Sequence, residues 1–455
     1  MQIDIQKNAL IAIDKLKQNG FEAYAVGGCV RDSIIGMTPY DWDICTNALP
    51  EETLRVFADF KVIETGLKHG TVTVVINSTH LEITTFRIDS EYLDKRRPEK
   101  VSFVTDIKDD LSRRDFTMNA IAYNQNGLVD SFCGLQDIEN KIIRCVGNPD
   151  KRFNEDALRI MRAIRFSSQL GFEIEDNTKK SIFKNKNLLC EISVERIFIE
   201  LKKLLLGEKV YEVLHEYREI IAVIIPEIRP CFDLNQLTPH HCYDVYEHII
   251  KSVSLVKKDE DLRLVMLMHD IEKPKCMVID ENGRGHFHGH QLPSADTARK
   301  ILNRLKAPTA QKNLIVELIY EHDNRFLPCK KSVLRFLNKH NVDFLYKQIE
   351  VRRADTLAQS EYNREEKIKL INDTLEVANQ VVAEQSCFSI KDLKINGDDL
   401  QQLGVAQGKI IGEILSELLF KVMNGEVENT NEILMKEAEK IISKKGECFE
   451  KQSKK

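Results

Sequence analysis

No stretch of this 455-residue chain approaches the roughly 18 uninterrupted apolar residues of a membrane-spanning helix. The N-terminus also lacks the charged, apolar, small-residue succession of an export signal. A cytoplasmic protein without a membrane partner is expected. The 11 cysteines are scattered, with no Cys-x-x-Cys pair and no zinc-ribbon spacing, which excludes a zinc ribbon and a disulfide scaffold and predicts reduced, mostly buried small hydrophobes. Excess positive charge is missing as well: the formal net charge is −5. Strong nonspecific affinity for polyanions is thereby excluded, so any nucleic-acid surface must be local. Internal repeats are absent, and the only biased segment is the lysine-rich end, residues 446–455, expected to fray.

What is present begins with Tyr24-Ala25-Val26-Gly27-Gly28-Cys29-Val30-Arg31-Asp32, followed by Asp41-Trp42-Asp43. An apolar strand ending at Val26 turns through Gly27-Gly28, where glycine tolerates φ > 0 and lets backbone N–H groups approach a phosphate. Asp41 and Asp43 are two apart, so an extended segment puts both carboxylates on one face, a pattern suited to holding Mg²⁺. Residues 71–76 and 81–87 read as two β-branched strands joined by the polar turn Asn77-Ser78-Thr79-His80. On the second strand Glu82 is expected to share a side with Thr84 and Phe86 and to bring a third carboxylate toward Asp41 and Asp43.

Further on, Arg113-Arg114-Asp115-Phe116-Thr117-Met118-Asn119-Ala120 supplies adjacent guanidiniums for phosphate oxygens, with Asp115 expected to orient one of them. Residues 154–166 read as one helix with acids in its first turn. Asp156 and Arg159 are then neighbours on one face. A carboxylate acceptor beside a guanidinium donor complements the Watson–Crick edges of cytosine and adenine, an amino donor beside a ring-nitrogen acceptor, and not those of guanine or uracil.

These motifs together resemble the head of the nucleotidyltransferase superfamily that contains the tRNA CCA-adding enzymes and bacterial poly(A) polymerases. The Arg-Arg-Asp-Phe-Thr-x-Asn-Ala segment is its most specific signature. The resemblance implies an α+β head, a palm-like sheet with helices, followed by all-α domains. It implies two Mg²⁺ ions on Asp41 and Asp43, with Glu82 as the third catalytic carboxylate. The triphosphate would be bound through Gly27, Gly28, Arg31, Arg113, Arg114, Asp115, Asn119 and Arg162, and CTP and ATP selected by Asp156 and Arg159. Residues 130–138, ending at Ile143-Arg144, resemble the family's head-to-neck motif and read as structural. The polar segment 91–100 matches the position of a flexible element carried by members that add the terminal A. The implied function is template-independent addition of CCA to the acceptor end of tRNA from CTP and ATP, without an obligate protein partner. The alternatives are a poly(A) polymerase on the same scaffold, a metal-dependent hydrolase, and an inactive RNA-binding module.

The hydrolase alternative comes from a second constellation: His248, His269-Asp270, His290, His322 and Asp355. This order resembles the HD superfamily of metal-dependent phosphohydrolases, and imidazole with carboxylate suits a divalent transition metal or Mg²⁺. Such domains are known behind nucleotidyltransferase heads. The expected divisions are a head at 1–148, a helical neck at 149–228, an HD domain at 229–375, a C-terminal helical tRNA-binding body at 376–445 and a frayed tail. Candidate local RNA surfaces are Lys95-Arg96-Arg97, the helix with Arg159, Arg162 and Arg165, the stretch from Lys179-Lys180 to Lys184-Asn185-Lys186, and the helix start at Gly408-Lys409.

Overall fold

The computed structural model describes residues 3–89, 101–324, 327–384 and 387–452. The segment 91–100, with Lys95-Arg96-Arg97, lies outside the described residues. The chain divides into two compact units, residues 1–229 with 301–308, and residues 230–300 with 309–455. Among the described residues no helix is long and apolar enough to cross a membrane.

In the first unit the strands are β1 (Ala23–Val26), β2 (Asp43–Thr46), β3 (Lys61–Ile63), β4 (Thr71–Ile76), β5 (Thr79–Thr85), β6 (Arg87–Asp89), β7 (Val101–Phe103), β8 (Ile121–Asn124) and β9 (Gly127–Asp130), with a short parallel pair, β10 (Ile142–Ile143) and β11 (Glu173–Ile174). Seven form one sheet in the order β3-β4-β5-β2-β1-β8-β9, while β6 and β7 pair separately. The β2–β5 pairing is parallel; the other neighbours run antiparallel. The β4–β5 hairpin closes more tightly than the sequence suggests. Thr79 and His80 pair with Ile76 and Val75, and only Asn77 and Ser78 turn, at φ 47° and 65°. Two residues with positive φ match the twist of the flanking strands, and asparagine tolerates that conformation.

Alternation along this hairpin buries Val72, Val74, Ile76, Leu81 and Ile83 on one face. The opposite face carries Glu82 and Thr84. Beyond β5, Phe86 is buried with Val26, Cys45, Ile107, Leu111, Ala120, Ala122 and Val146, a core that fixes β1, β2 and β8 beneath the helix Ile107–Ser112.

The chain then becomes helical, beginning at Asn148, whose side chain caps the helix Pro149–Glu155. The single helix expected over 154–166 is in fact broken. Asp156 leaves the helical region at φ −144°, ψ 103°, and its carboxylate accepts the Leu158 amide at 3.0 Å, starting the helix Leu158–Leu170. An aspartate that satisfies a free helical N–H is more stable at such a start than inside a helix.

The second unit is built from helices, among them Val245–Leu255, Glu260–Met268, Thr309–Glu321, Val342–Leu357 and Arg364–Ala383. The last of these runs through 375/376, so the expected division there falls inside one helix. At the end of the chain the helix Asn431–Gln452 continues into the segment expected to fray. Ten cysteines are described, all free, and five are buried: Cys29, Cys45, Cys145, Cys231 and Cys387. Burial therefore accounts for half of them rather than most.

Candidate functional site

The approach to β2 decides where the head carboxylates point. Trp42 is buried while Asp41 and Asp43 on either side are open to solvent, as alternation in an extended segment requires. The parallel register sets Asp43 opposite Glu82. Three carboxylates thus belong to one open edge of the sheet. Desolvation by the surrounding protein, reinforced by Glu82 and Asp41 and opposed by Arg114, pushes the Asp43 carboxyl up to about 6. A face that raises one of its own carboxyls suits a divalent cation, whose charge favours the ionised form.

Beside β1, Gly27 adopts φ 82° at the start of the helix Gly28–Ile34, and a Cβ there would stand 3.0 Å from Arg114 Nη1. Glycine is required by both conformation and space. The two guanidiniums of Arg113 and Arg114 are held from below by the fully buried Asp110. Its Oδ1 accepts Arg113 Nε and Nη2 at 3.0 and 2.8 Å, and its Oδ2 accepts Arg114 Nη2 at 3.2 Å.

This corrects the expectation that Asp115 orients one of that pair. Asp115 turns inward, accepting its neighbouring Phe116 amide, Asn119 Nδ2 at 3.0 Å and Arg162 Nε at 2.7 Å. Burial alone would raise its carboxyl, but Arg162 and the Asn119 hydrogen bond hold it well below the usual range. Asn119 Oδ1 in turn accepts Arg31 Nη1 at 2.6 Å, and Arg31 also bonds Asp32. The guanidiniums of Arg31, Arg162 and Arg165 lie against the Phe166 ring. Asp110 escaped the sequence reading, although its spacing of three and four from the arginine pair is a helical ion-pair signal.

Asp156 and Arg159 sit on either side of the helix break, and their side chains bond other groups. Asp156 Oδ2 accepts Arg196 Nη2 at 2.8 Å. Arg159 is buried and donates to Glu155 Oε2 at 2.7 Å, to the Arg152 carbonyl at 3.1 Å and to the Arg113 carbonyl at 2.9 Å. Arg162 and Arg165 face Asp115 and Glu200. The helix carrying these three arginines is therefore an internal ion-pair seam and not an open RNA surface. Lys179, Lys184 and Lys186 are likewise paired, with Glu216, Asp150 and Glu219. At the remaining candidate, Gly408 begins the helix Lys409–Met423 without a side-chain cap.

In the second unit the six residues of the histidine constellation converge. Ligand atoms of His248, His269, Asp270 and Asp355 lie within 4.8 Å of one another, as do those of Asp270, His290 and His322. Asp270 joins the two groups: its Oδ1 stands 2.9 Å from His290 Nε2, and its Oδ2 stands 3.1 and 3.2 Å from His269 and His248 Nε2. In each imidazole Nδ1 lies near a backbone carbonyl. His269, His290 and His322 reach those of Met266, Phe287 and Ile319 at 2.8, 2.8 and 2.6 Å, and His248 that of Ala358 at 3.4 Å. A proton held there turns Nε2 inward as a lone pair, the arrangement of a metal-binding imidazole.

Nε2 of His248 and Nε2 of His269 are buried and converge on the carboxylates of Asp270 and Asp355, so the donor set fits a cation. Burial presses His269 down, yet Asp270 and Asp355 lift it to about 9, so its Nε2 becomes a lone pair only when a cation displaces the proton these carboxylates hold there. Burial, with His269 and His290 nearby, lowers His322 to about 3. The cluster opens into a cavity of about 500 Å³ whose wall adds His241, Lys273, Arg284 and Lys367. Lys273 bonds Asp270 at 2.6 Å; neither it nor His241 was singled out from sequence.

The head's sheet, its glycine turn and its carboxylate edge define a class, the nucleotidyltransferases with a polymerase-type head. Residues 23–144 match the family model for the poly A polymerase head domain. Residues 171–232 match the model described as probable RNA and SrmB-binding site of polymerase A, and residues 291–438 the one for tRNA nucleotidyltransferase domain 2. A CCA-adding enzyme of Ligilactobacillus salivarius is 35% identical over 444 residues, covering 96% of this chain and 97% of that protein. One from Streptococcus gordonii is 33% identical over 435 residues, covering 94% and 96%. Among solved structures, the Bacillus stearothermophilus CCA-adding enzyme in complex with CTP aligns with a TM-score of 0.72 at 30% identity, over 97% of this chain and 98% of that one. The Thermotoga maritima CCA-adding enzyme complexed with tRNA shares the fold, with a TM-score of 0.56 at 20% identity over 96% and 99%. The chain belongs to the family of CCA-adding enzymes.

Proposed function

We propose that the carboxylate edge Asp41, Asp43 and Glu82 carries the nucleotidyl transfer by which this enzyme adds or repairs the 3′-terminal CCA of tRNA, in the cytoplasm, from CTP and ATP. The family implies a divalent metal, read here as Mg²⁺, which Asp41 and Asp43 would hold. When bound, it supplies charge stabilisation to the RNA 3′-hydroxyl as that group loses its proton and to the departing pyrophosphate. Arg113 and Arg114, braced by Asp110, neutralise the triphosphate. Gly27 and Gly28 let the backbone approach it, and the Arg31–Asn119–Asp115–Arg162 chain holds Arg31 and Arg162 in place. Asp156 and Arg159 act as a protein template, Asp156 accepting the amino group shared by cytosine and adenine. The β2–β5 register that sets Asp43 opposite Glu82 is the observation on which this reading stands.

Asp43→Asn is the test, since it removes a metal-binding charge and keeps the shape. CMP and AMP incorporation into tRNA lacking CCA is expected to fall by about 10³-fold or more, with the thermal melt unchanged. Incorporation near the wild-type rate would overturn the assignment.

The inward lone pairs of the histidine cluster favour a second reading alongside the first. His248, His269, Asp270, His290, His322 and Asp355 would hold one or two divalent metals, and the cationic cavity wall suits a phosphoester. His269→Ala is expected to lower bound Mn²⁺ measured by calorimetry, and hydrolysis of a nucleoside 2′,3′-cyclic phosphate with it, while CCA addition is retained. Undiminished Mn²⁺ binding in that variant would remove the reading.

A further inference from the structure

Resting on the reading of the histidine–aspartate cluster as a phosphoester site, we infer that the imidazoles of His286 and His288 form a base-stacking platform beside it. The cavity then takes a nucleoside phosphate, with the phosphoester over the cluster and the base over His288.

The cavity of about 500 Å³ falls within the roughly 300–1,000 Å³ in which proteins enclose whole organic ligands. A phosphate alone needs far less. Arg284, His286 and His288 all line this cavity. Alternation about the strand Gly285–His286 puts Arg284 and His286 on one face, and His288 folds back so that the two imidazoles stack, with centroids 5.5 Å apart and planes 12° from parallel. His286 is half-buried and His288 exposed. One face of the His288 ring is thus covered by His286, and the ring still borders the cavity. Arg284 makes no side-chain hydrogen bond or ion pair among the described residues, which leaves a guanidinium on the same wall for an anionic oxygen.

The platform is fixed before any ligand arrives. His286 Nε2 stands 2.8 Å from Asp280 Oδ2, and Asp280 Oδ1 accepts the Asn282 and Arg284 amides at 2.9 Å each. The Gly285 amide donates to the Leu237 carbonyl at 3.0 Å, in a seat with no room for a Cβ against the Gln236 carbonyl. Gln236 Oε1 in turn accepts Lys273 Nζ at 3.1 Å, the ammonium that bonds Asp270. Rings held this way lose little freedom on binding. Stacking uses the flat π-face that every base shares, so the platform serves a nucleoside of any sequence and gives nothing to a phosphoester without a base.

Calorimetry on the full-length protein with Mn²⁺ tests this by comparing guanosine 2′-monophosphate with glycerol 2-phosphate, a secondary phosphomonoester that has no base. The nucleotide is expected to bind about tenfold more tightly or better. His288→Ala should abolish that preference by weakening the nucleotide alone, with Mn²⁺ binding unchanged, and His288→Phe should keep it. Equal affinities in the wild type, or a preference that survives His288→Ala, overturn the platform; loss of glycerol 2-phosphate binding in His269→Ala would then leave the phosphoester reading standing. A nucleotide affinity undiminished in His269→Ala lies away from the cluster and overturns the platform likewise. Binding of neither probe with Mn²⁺ in place overturns the phosphoester reading itself.

Discussion

Asp43 and Asp110 show how differently one head sets two carboxylates. Asp43 is raised to about 6 by desolvation, with Glu82 and Asp41 adding to it. The folded protein without metal therefore binds a proton below that pH that an unfolded chain releases down to the ordinary aspartate range. Protonation favours the metal-free fold as pH falls, a contribution lost as pH rises through about 6. On the proposed assignment metal and proton compete for the same oxygens, so the half-saturating Mg²⁺ concentration for CMP incorporation is expected to rise between pH 6.5 and 5.5 by about threefold. A titration at the two pH values checks this. Asp110 has the opposite setting: burial would raise it, but Arg114 and Arg113 hold it low. Asp110→Ala strands two guanidiniums and is expected to cost about 3–5 kcal/mol in a denaturant titration, far more than a surface ion pair. Alternation around Trp42 made Asp41 and Asp43 legible in the sequence. Asp110 was not, because the adjacent Asp115 offered a nearer partner to the same arginines, and only the inward turn toward Asn119 and Arg162 takes it away.

The sheet reads well from sequence wherever β-branched residues alternate. The β4–β5 pair was visible, and only the length of its turn differed. Helix continuity is harder to read, since the apolar spacing of residues 158–166 runs smoothly upstream and the break depends on one aspartate choosing the Leu158 amide. That choice separates Asp156 from Arg159 and hands it to Arg196, forty residues away, where no local pattern points. The histidine cluster has the same character. Chain order named its six members, but the orientation of three comes from a repeated local device, an imidazole whose Nδ1 meets the carbonyl three residues earlier: His269 with Met266, His290 with Phe287, His322 with Ile319. At the glycine turn the backbone itself is the constraint. Gly27→Ala forces a Cβ into a conformation at φ 82° and against Arg114, an expected loss of about 1–2 kcal/mol. Thermal denaturation reads the loss, and a raised KM for CTP should accompany it because Arg114 must move.

For the whole molecule, a net charge of −5 fits an enzyme in which the basic clusters of the neck meet acidic partners. Arg159, Arg162 and Arg165 seam the neck, and Lys179, Lys184 and Lys186 meet acids. Composition excluded a general polyanion binder but could not separate basic residues paired inside the protein from those left for RNA, because that depends on contacts between distant segments. Each unit presents its own candidate chemistry: a carboxylate edge for nucleotidyl transfer in the first, an imidazole–carboxylate cluster in the second. The central claim is that the first unit builds a defined three-nucleotide end and stops. The most direct test is to incubate the full-length protein and Mg²⁺ with labelled tRNAs ending before CCA, at C and at CC, each with CTP, ATP or both. Extension that halts after CCA, with CTP required by the two shorter substrates and ATP alone completing the third, is the predicted result. Open-ended A addition independent of CTP would contradict it.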